Sequence, residues 1–227
     1  MYLLPQIAIR AHQLIHGDGD PVMVAQHLVR SGAQRLQIRD VDGSYASHPS
    51  GSDALGVLAA AVNVPVQFDA ALTDPRAIER VARTRTASVV ISMDGVVEPL
   101  LIRWALDTLG AARTVLEIRA DGEYLYDPPA GAFDMRVRDA IRIAHRAGIE
   151  HVLIRDVTAL APSINLLRGI GADTVIQVTY AGPVSSVADI RDLTIVGDQL
   201  HAVVVGEPLF DGRLPIDQAL AAVDSVE

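Results

Sequence analysis

The tetrapeptide Ile-Arg-Asp-Val occurs twice and places an aspartate at equivalent points of the two halves of the chain. The copies run from Ile38 to Val41 and from Ile154 to Val157, separated by about half of the 227 residues. Their carboxylates, Asp40 and Asp156, can serve as general acid and general base if their surroundings separate their proton affinities. Alternatively, the adjacent arginines form local ion pairs that satisfy neighbouring loops. The residues by themselves leave both interpretations open.

The composition excludes several other chemistries. The chain has no cysteine, and all 19 of its basic residues are arginine. Without a thiol there is no cysteine nucleophile, disulfide or thiolate metal site. Without a lysine amine there is no Schiff-base mechanism and no covalent attachment of pyridoxal phosphate. We therefore expect no cofactor.

The sequence also limits the class of partner. A net charge of −9 argues against nucleic acid or an anionic membrane surface. No apolar run approaches the roughly 20 residues that span a bilayer, and no basic segment precedes an apolar one at the start, so we expect a cytoplasmic protein. His12, His16 and His48 lack the spacing of metal ligands, so we expect no metal site. The expected partner is a small molecule.

The order of apolar segments predicts the fold. Strand-sized apolar runs alternate with helix-sized amphipathic ones, as expected for a parallel sheet buried on both faces. Two segments, Ser31 to Ala33 and Ala147 to Ile149, precede the twin tetrapeptides at the same distance, which indicates a duplicated unit. We predict one domain over residues 1–227, a (β/α)₈ barrel built from two half-barrels. Its eight strands are predicted at about 2–9, 35–40, 64–68, 87–92, 113–119, 151–155, 174–179 and 202–206.

Helix boundaries and the position of the chemistry follow from this fold. Asp20-Pro21 and Asp74-Pro75 are typical of helix starts, with a capping carboxylate ahead of a first-turn proline. Barrel enzymes carry their chemistry at the carboxyl ends of the strands. Asp40 and Asp156 end the second and sixth predicted strands, so we expect them opposite each other across the barrel mouth.

Several motifs together carry a family resemblance along essentially the full length. They are Leu4 to Arg10, Leu36 to Gly43, Val64 to Gln67, Gly95 to Pro99, Val203 to Gly206 and Leu209 to Gly212. As a set they resemble the histidine-biosynthesis half-barrel proteins HisA and HisF and the bifunctional phosphoribosyl isomerases. The resemblance implies an Amadori-type isomerisation of a phosphoribosyl aminoaldose to an aminoketose. It also implies two proton-transferring carboxylates and two phosphate-binding loops.

The resemblance carries over only in part to the proton-transferring residues. The carboxylate of the family's first strand falls on Ala8, whose methyl group cannot transfer a proton. The sixth-strand acid is retained as Asp156, with Thr158 nearby as a hydrogen-bonding partner. Glu117, at the end of the fifth strand, matches another acidic position of the family. Asp156 paired with Glu117 or Asp40 is therefore the candidate catalytic set.

The family's phosphate loops also differ here. Three glycines after the third strand correspond to Asp69-Ala70-Ala71, and a glycine closing the fourth corresponds to Ser92. Side chains obstruct the approach of phosphate to backbone N–H groups, and carboxylates repel it. Gly182 and Gly206 survive on the opposite side of the barrel. The candidate ligand-binding residues are Arg10, Asp69, Ser92, Gly182 and Gly206.

Three functions remain open. The first is a diverged isomerase that still handles a phosphosugar. The second is a binding, assembly or regulatory protein without catalysis, for which a protein partner has a precedent because HisF-like barrels pair with a glutaminase subunit. The third is an enzyme for a non-phosphorylated or cationic ligand, favoured by an acidic mouth made of Asp40, Asp69, Asp94, Asp156 and Glu207.

Overall fold

Eight parallel strands close into a barrel in the computed structural model, which describes residues 1–43, 49–170 and 175–224. The last strand pairs with the first, with Tyr2 opposite Ala202, so the barrel has no open edge. The strands are β1 Tyr2–Arg10, β2 Leu36–Asp40, β3 Val66–Leu72, β4 Ser88–Ile91, β5 Thr114–Asp121, β6 His151–Asp156, β7 Gln177–Ala181 and β8 Leu200–Val205. The predicted (β/α)₈ fold is confirmed.

Helices follow the strands and cover the outside of the barrel. Within the described residues they are α1 Pro21–Arg30, α2 Pro49–Ala60, α3 Pro75–Ala82, α4 Pro99–Leu109, α5 Val137–Arg146, α6 Ile164–Ile170, α7 Val187–Thr194 and α8 Ile216–Asp224. None of these helices combines the length and the apolarity that crossing a membrane requires.

The predicted helix starts are confirmed by their caps. The Asp20 carboxylate accepts a hydrogen bond of 2.8 Å from the Val22 N–H, and Asp74 accepts one of 3.0 Å from the Arg76 N–H. Each proline occupies the first turn, where its missing N–H costs nothing.

The duplication is visible in the two half-barrels. A two-residue strand, Gln13–Leu14, pairs antiparallel with the end of β1, and another, Tyr124–Leu125, pairs in the same way with the end of β5. These strands begin the first and second halves of the barrel, so each half opens with the same hairpin extension.

The barrel strands separate two apolar layers because successive side chains point to opposite faces. A small inner cluster contains Leu4, Val90, Val115, Leu153, Ala181, Ala202 and Val204. The larger outer cluster, between sheet and helices, contains Ile38 of β2 and Ile154 of β6. Residues two positions beyond an inner residue, such as Arg155 beyond Leu153, therefore point into the barrel.

Strand boundaries differ from the predictions by three residues or more at two places. Predicted strand 64–68 is observed as Val66–Leu72, because the register with β4 shifts between Asp69 and Leu72 and lengthens the strand. Predicted strand 174–179 begins only at Gln177, and residue 174 lies outside the described residues.

Candidate ligand site at the barrel mouth

A cavity of about 640 Å³ opens at the carboxyl ends of the strands. It is bordered by the ends of β1, β2, β6, β7 and β8 and by the loops that follow the last three. Its charged and titratable wall residues are His16, Arg39, Arg155, Asp156, Glu207 and Arg213. A cavity of this size accommodates a metabolite.

The dominant feature beneath the cavity is a buried ion-pair network centred on Arg155. Its Nη2 donates to Asp69 Oδ2 of β3 at 2.5 Å, and its Nε donates to Glu117 Oε1 of β5 at 2.6 Å. The side chains of Arg155, Asp69 and Glu117 are only 11%, 2% and 6% exposed. Burial by itself lowers the pKa of Arg155, but attraction to the two carboxylates outweighs burial and leaves this pKa raised. The guanidinium is therefore permanently charged and fixed across the barrel.

A second arginine, Arg39 of β2, borders the same cavity without a direct partner. It forms no hydrogen bond or ion pair with any residue that the structure describes. Burial, and then the charge of Arg155, lower the pKa of Arg39, although Asp69 and Glu117 partly offset this. A partly buried guanidinium that lacks a contacting carboxylate can bind an anion in the adjacent space.

Asp156 is held by a tyrosine that the sequence analysis did not identify. The Tyr180 hydroxyl, in a fully buried side chain, donates to Asp156 Oδ2 at 2.9 Å and accepts from the Ser163 N–H at 3.1 Å. Burial raises the pKa of Tyr180, and the Asp156 charge adds to this, so the phenol remains a donor. The other carboxylate oxygen, Oδ1, is buried and has no hydrogen-bond partner among the residues that the structure describes. Asp156 therefore lies at the edge of the cavity, with its side chain fixed by Tyr180.

The same tyrosine explains why residue 182, a predicted ligand-binding position, is a glycine. A Cβ at this position would lie 2.2 Å from the Tyr180 hydroxyl oxygen and 2.3 Å from Cζ. Because Tyr180 is completely buried, the ring has no room to retreat. Gly182 lies on the cavity wall, and the contact explains the glycine without any phosphate.

Two predicted catalytic residues are placed away from this centre. Asp40 is buried, does not border the cavity, and shares the outward face of β2 with Ile38. Asp40 and Asp156 do end strands on opposite sides of the barrel, but only Asp156 borders the cavity, so the structure does not bring the two together in one site. The Thr158 hydroxyl donates to Asp121 at 2.6 Å, whereas the hydroxyl that donates to Asp156 is that of Tyr180.

The remaining predicted ligand-binding residues are dispersed around the mouth. The Ser92 hydroxyl donates to Asp94 at 2.9 Å and accepts from its N–H, so it caps a short 3₁₀ turn. Arg10 is exposed at the end of β1 and is not part of the cavity wall. Gly206 does border the cavity, where a Cβ would lie 3.1 Å from Gln6 Oε1.

The expected acidic mouth is not what the structure shows. Asp69 is neutralised by Arg155, and Glu207 lies 3.1 Å from Arg213. Only Asp156 and Glu207 among the five predicted carboxylates border the cavity, where three arginines also lie. The wall therefore has no excess of negative charge to favour a cation. No group of three or more potential metal ligands occurs in residues 1–43, 49–170 and 175–224, and His48 lies outside them.

The arrangement is poorly suited to two-carboxylate proton transfer. Ala8 provides only a methyl group on the inner face of β1, next to Arg39 in the register between β1 and β2. Glu117 is engaged by Arg155 and does not border the cavity, so no pair with Asp156 forms. Among the described residues, the carboxylates on the cavity wall are Asp156 and Glu207, and Glu207 is already paired with Arg213.

A pattern in the sequence could have identified Arg39 and Arg155 as site residues. In Leu36-Gln37-Ile38-Arg39, polar and apolar residues alternate with the period of a strand. The apolar members face the helices, so the polar ones must face the barrel interior. The Arg in each Ile-Arg-Asp-Val copy is therefore the inward residue, and the Asp is the outward one.

Comparisons with known proteins agree with this fold. A family described as "Histidine biosynthesis protein" matches residues 11–215. An isomerase of Roseiflexus sp. is 30% identical over 213 residues, covering 91% of this chain and 88% of its own. One from Pelotomaculum thermopropionicum is 26% identical over 243 residues, covering 100% and 94%. Both are named as isomerases of an imidazole-4-carboxamide that carries two phosphoribosyl groups.

Proposed function

Since the chain belongs to the histidine-biosynthesis family of HisA-type phosphoribosyl isomerases, we propose that it has kept an anion-binding mouth and lost most of the family's isomerase activity. The observation that carries this proposal is the Arg155 network. Arg155 occupies the interior next to the mouth and binds both inward carboxylates, Asp69 and Glu117.

The loss of activity rests on the missing proton-transfer partner. Removing a general acid or base from an active site typically costs about 10²–10⁴-fold in rate. Ala8 supplies no such group, and Glu117 could act only by giving up a buried ion pair at 2.6 Å. Asp156 alone cannot both remove and return a proton at two separate substrate atoms. We therefore infer that the protein binds a ligand of the family type and converts it slowly.

The charge of the ligand follows from the cavity wall. Arg39 has no direct partner among the described residues, and Arg155 lies next to it on the wall. Asp156 and Glu207 border the same cavity, and carboxylates accept hydrogen bonds from hydroxyl groups. A phosphorylated sugar, with an anionic group and hydroxyls, fits these groups better than a cation does.

The activity is tested with the doubly phosphoribosylated imidazole carboxamide that the relatives' names describe. With the Roseiflexus isomerase as the positive control, we expect the wild-type protein to turn over this compound at least about 100-fold more slowly. Ala8→Asp should raise the rate, whereas Ala8→Asn, of similar size but unable to transfer a proton, should not. A wild-type rate within about tenfold of the control would contradict the proposal.

Binding is tested separately by calorimetry with ribose 5-phosphate. We expect Arg39→Met to weaken binding by about tenfold or more, because a hydrogen bond to a charged group contributes about 1.5–3 kcal/mol. The control is Arg213→Met, whose guanidinium borders the same cavity but already pairs with Asp211 at 2.6 Å and Glu207 at 3.1 Å. Equal effects of the two substitutions would contradict the assignment of Arg39.

A further inference from the structure

A second cavity, of about 140 Å³, lies at the opposite end of the barrel, by the amino ends of the strands. It shares no wall residue with the mouth cavity. Apolar side chains of the inner cluster, among them Leu4 and Val115, form its floor. Its polar wall residues are Arg35, Gln67, Ser88, His151, Thr179 and His201.

Contacts between aromatic rings, and between a ring and a guanidinium, position the basic side chains of this cavity. The Arg35 guanidinium lies 4.4 Å above the ring of Tyr2, and the same ring packs edge-on against His201 at 5.3 Å. The rings of His201 and His151 are 6.1 Å apart. Arg35, just before β2, His151 of β6 and His201 of β8 thus lie together in one small space.

Two buried polar atoms of the wall have no hydrogen-bond partner within the described part of the chain. Gln67 is 9% exposed, and its Nε2 donor has no partner, although its Oε1 accepts from the Ser88 hydroxyl at 3.2 Å. His151 contacts Gln177 Oε1 through Nε2 at 2.5 Å, while its Nδ1 has none. Buried polar atoms are nearly always satisfied in native proteins, so an unpartnered donor on Gln67 and an unpartnered ring nitrogen on His151 indicate a polar occupant.

The charge on the wall indicates the sign of that occupant. No carboxylate belongs to the wall among the residues that the structure describes. Burial, followed by the charges of Arg35, His151 and the N-terminal amino group, lowers the pKa of His201 to about 4. The cavity thus already experiences a positive field that opposes adding another proton. An anion in this space would relieve that repulsion.

We propose that this cavity is a second ligand site, which binds a small oxyanion such as inorganic phosphate between Arg35, His151 and His201. Arg35 at the rim supplies the charge and a two-pronged donor. The Gln67 amide supplies a further donor from inside, and His151 Nδ1, an acceptor when Nε2 donates to Gln177, can accept from the O–H of a monoprotonated phosphate. The volume of 140 Å³ equals that of about four or five water molecules at roughly 30 Å³ each, which suits an ion of five heavy atoms.

The test is a titration of the full-length protein with inorganic phosphate at constant ionic strength, followed by the imidazole resonances of its histidines. Single variants, His151→Gln and His201→Gln, assign the two resonances. We expect both to shift with saturation at millimolar phosphate or below. Arg35→Gln should weaken the binding by at least about tenfold, because it removes a charged donor.

Arg39→Gln at the mouth is the matched control, because it removes the same kind of group from the other cavity. It should leave the phosphate affinity reported by His201 unchanged, while it weakens ribose 5-phosphate binding. No shift of His151 and His201, or equal weakening by Arg35→Gln and Arg39→Gln, would overturn the second site. Since Arg35 lies at the rim, its variant keeps the test informative even if the histidine variants fold poorly.

Discussion

Replacing Arg155 by methionine should destabilise the protein severely. The substitution leaves Asp69 and Glu117, 2% and 6% exposed, without the guanidinium that binds them at 2.5 and 2.6 Å. Removing one partner of a buried ion pair costs about 3–5 kcal/mol. Arg39 is close enough to compensate in part, so we expect the lower end of this range, about 3 kcal/mol.

The free energy of unfolding is measured by urea denaturation followed by circular dichroism. The matched control is Arg213→Met, which removes the same side chain from ion pairs whose members are 35–54% exposed. Exposed pairs contribute about 0–1 kcal/mol, so this variant should change stability by less than about 1 kcal/mol.

A triple variant distinguishes the loss of the ion-pair attraction from the cost of leaving two buried carboxylates without a partner. With Arg155→Met, Asp69→Asn and Glu117→Gln combined, no buried carboxylate remains uncompensated, and we expect at least half of the lost stability to return. The reasoning would be refuted if Arg155→Met cost no more than Arg213→Met. It would also be refuted if the triple variant were no more stable than Arg155→Met alone.

Three further outcomes follow from individual contacts. Gly182→Ala should cost about 1–3 kcal/mol by urea denaturation, because its Cβ would overlap the buried Tyr180 ring. The same change at Gly56, a position of α2 with nothing within 4 Å, should instead stabilise by about 0.5–1 kcal/mol. Tyr180→Phe should cost about 1–3 kcal/mol by the same assay, since the Ser163 N–H and the Asp156 carboxylate both lose their partner. Stability should fall as the pH drops from 6.5 to about 4, because the unfolded chain protonates His201 before the folded one does. In His201→Gln, the loss of unfolding free energy between these two pH values should be smaller than in the wild type, by no more than about 2 kcal/mol because solvent partly screens the group. A pH profile unchanged by the substitution would contradict the assignment to His201.

The proposed loss of isomerase activity and the two proposed anion sites are physically independent. In the proposal, the rate of proton transfer is set by the groups at positions 8, 117 and 156. Phosphosugar binding depends on Arg39 at the mouth, and binding of inorganic phosphate depends on Arg35 at the far end. A protein that fails one of these tests can still pass the other two.

The sequence predicted the barrel because local patterns encode it. Alternating strand and helix segments, the capped starts at Asp20 and Asp74, and the repeated tetrapeptide all describe short stretches of chain. Parallel strands need such helical connections, so the order of elements leaves few folds open. Family motifs then identified the positions where catalytic side chains would be expected, including the substitution at Ala8.

The partners of each charged side chain were decided only by the tertiary structure. The sequence shows that Arg155 neighbours Asp156, but strand alternation turns these two side chains to opposite faces of β6. Arg155 instead binds Asp69, 86 positions away, and Asp156 binds Tyr180 of the next strand. Barrel closure brings such residues together, and burial makes their pairing energetically decisive. The repeated Ile-Arg-Asp-Val therefore indicated the duplicated scaffold from the sequence alone. The partners of its charged side chains were set only by the closed barrel.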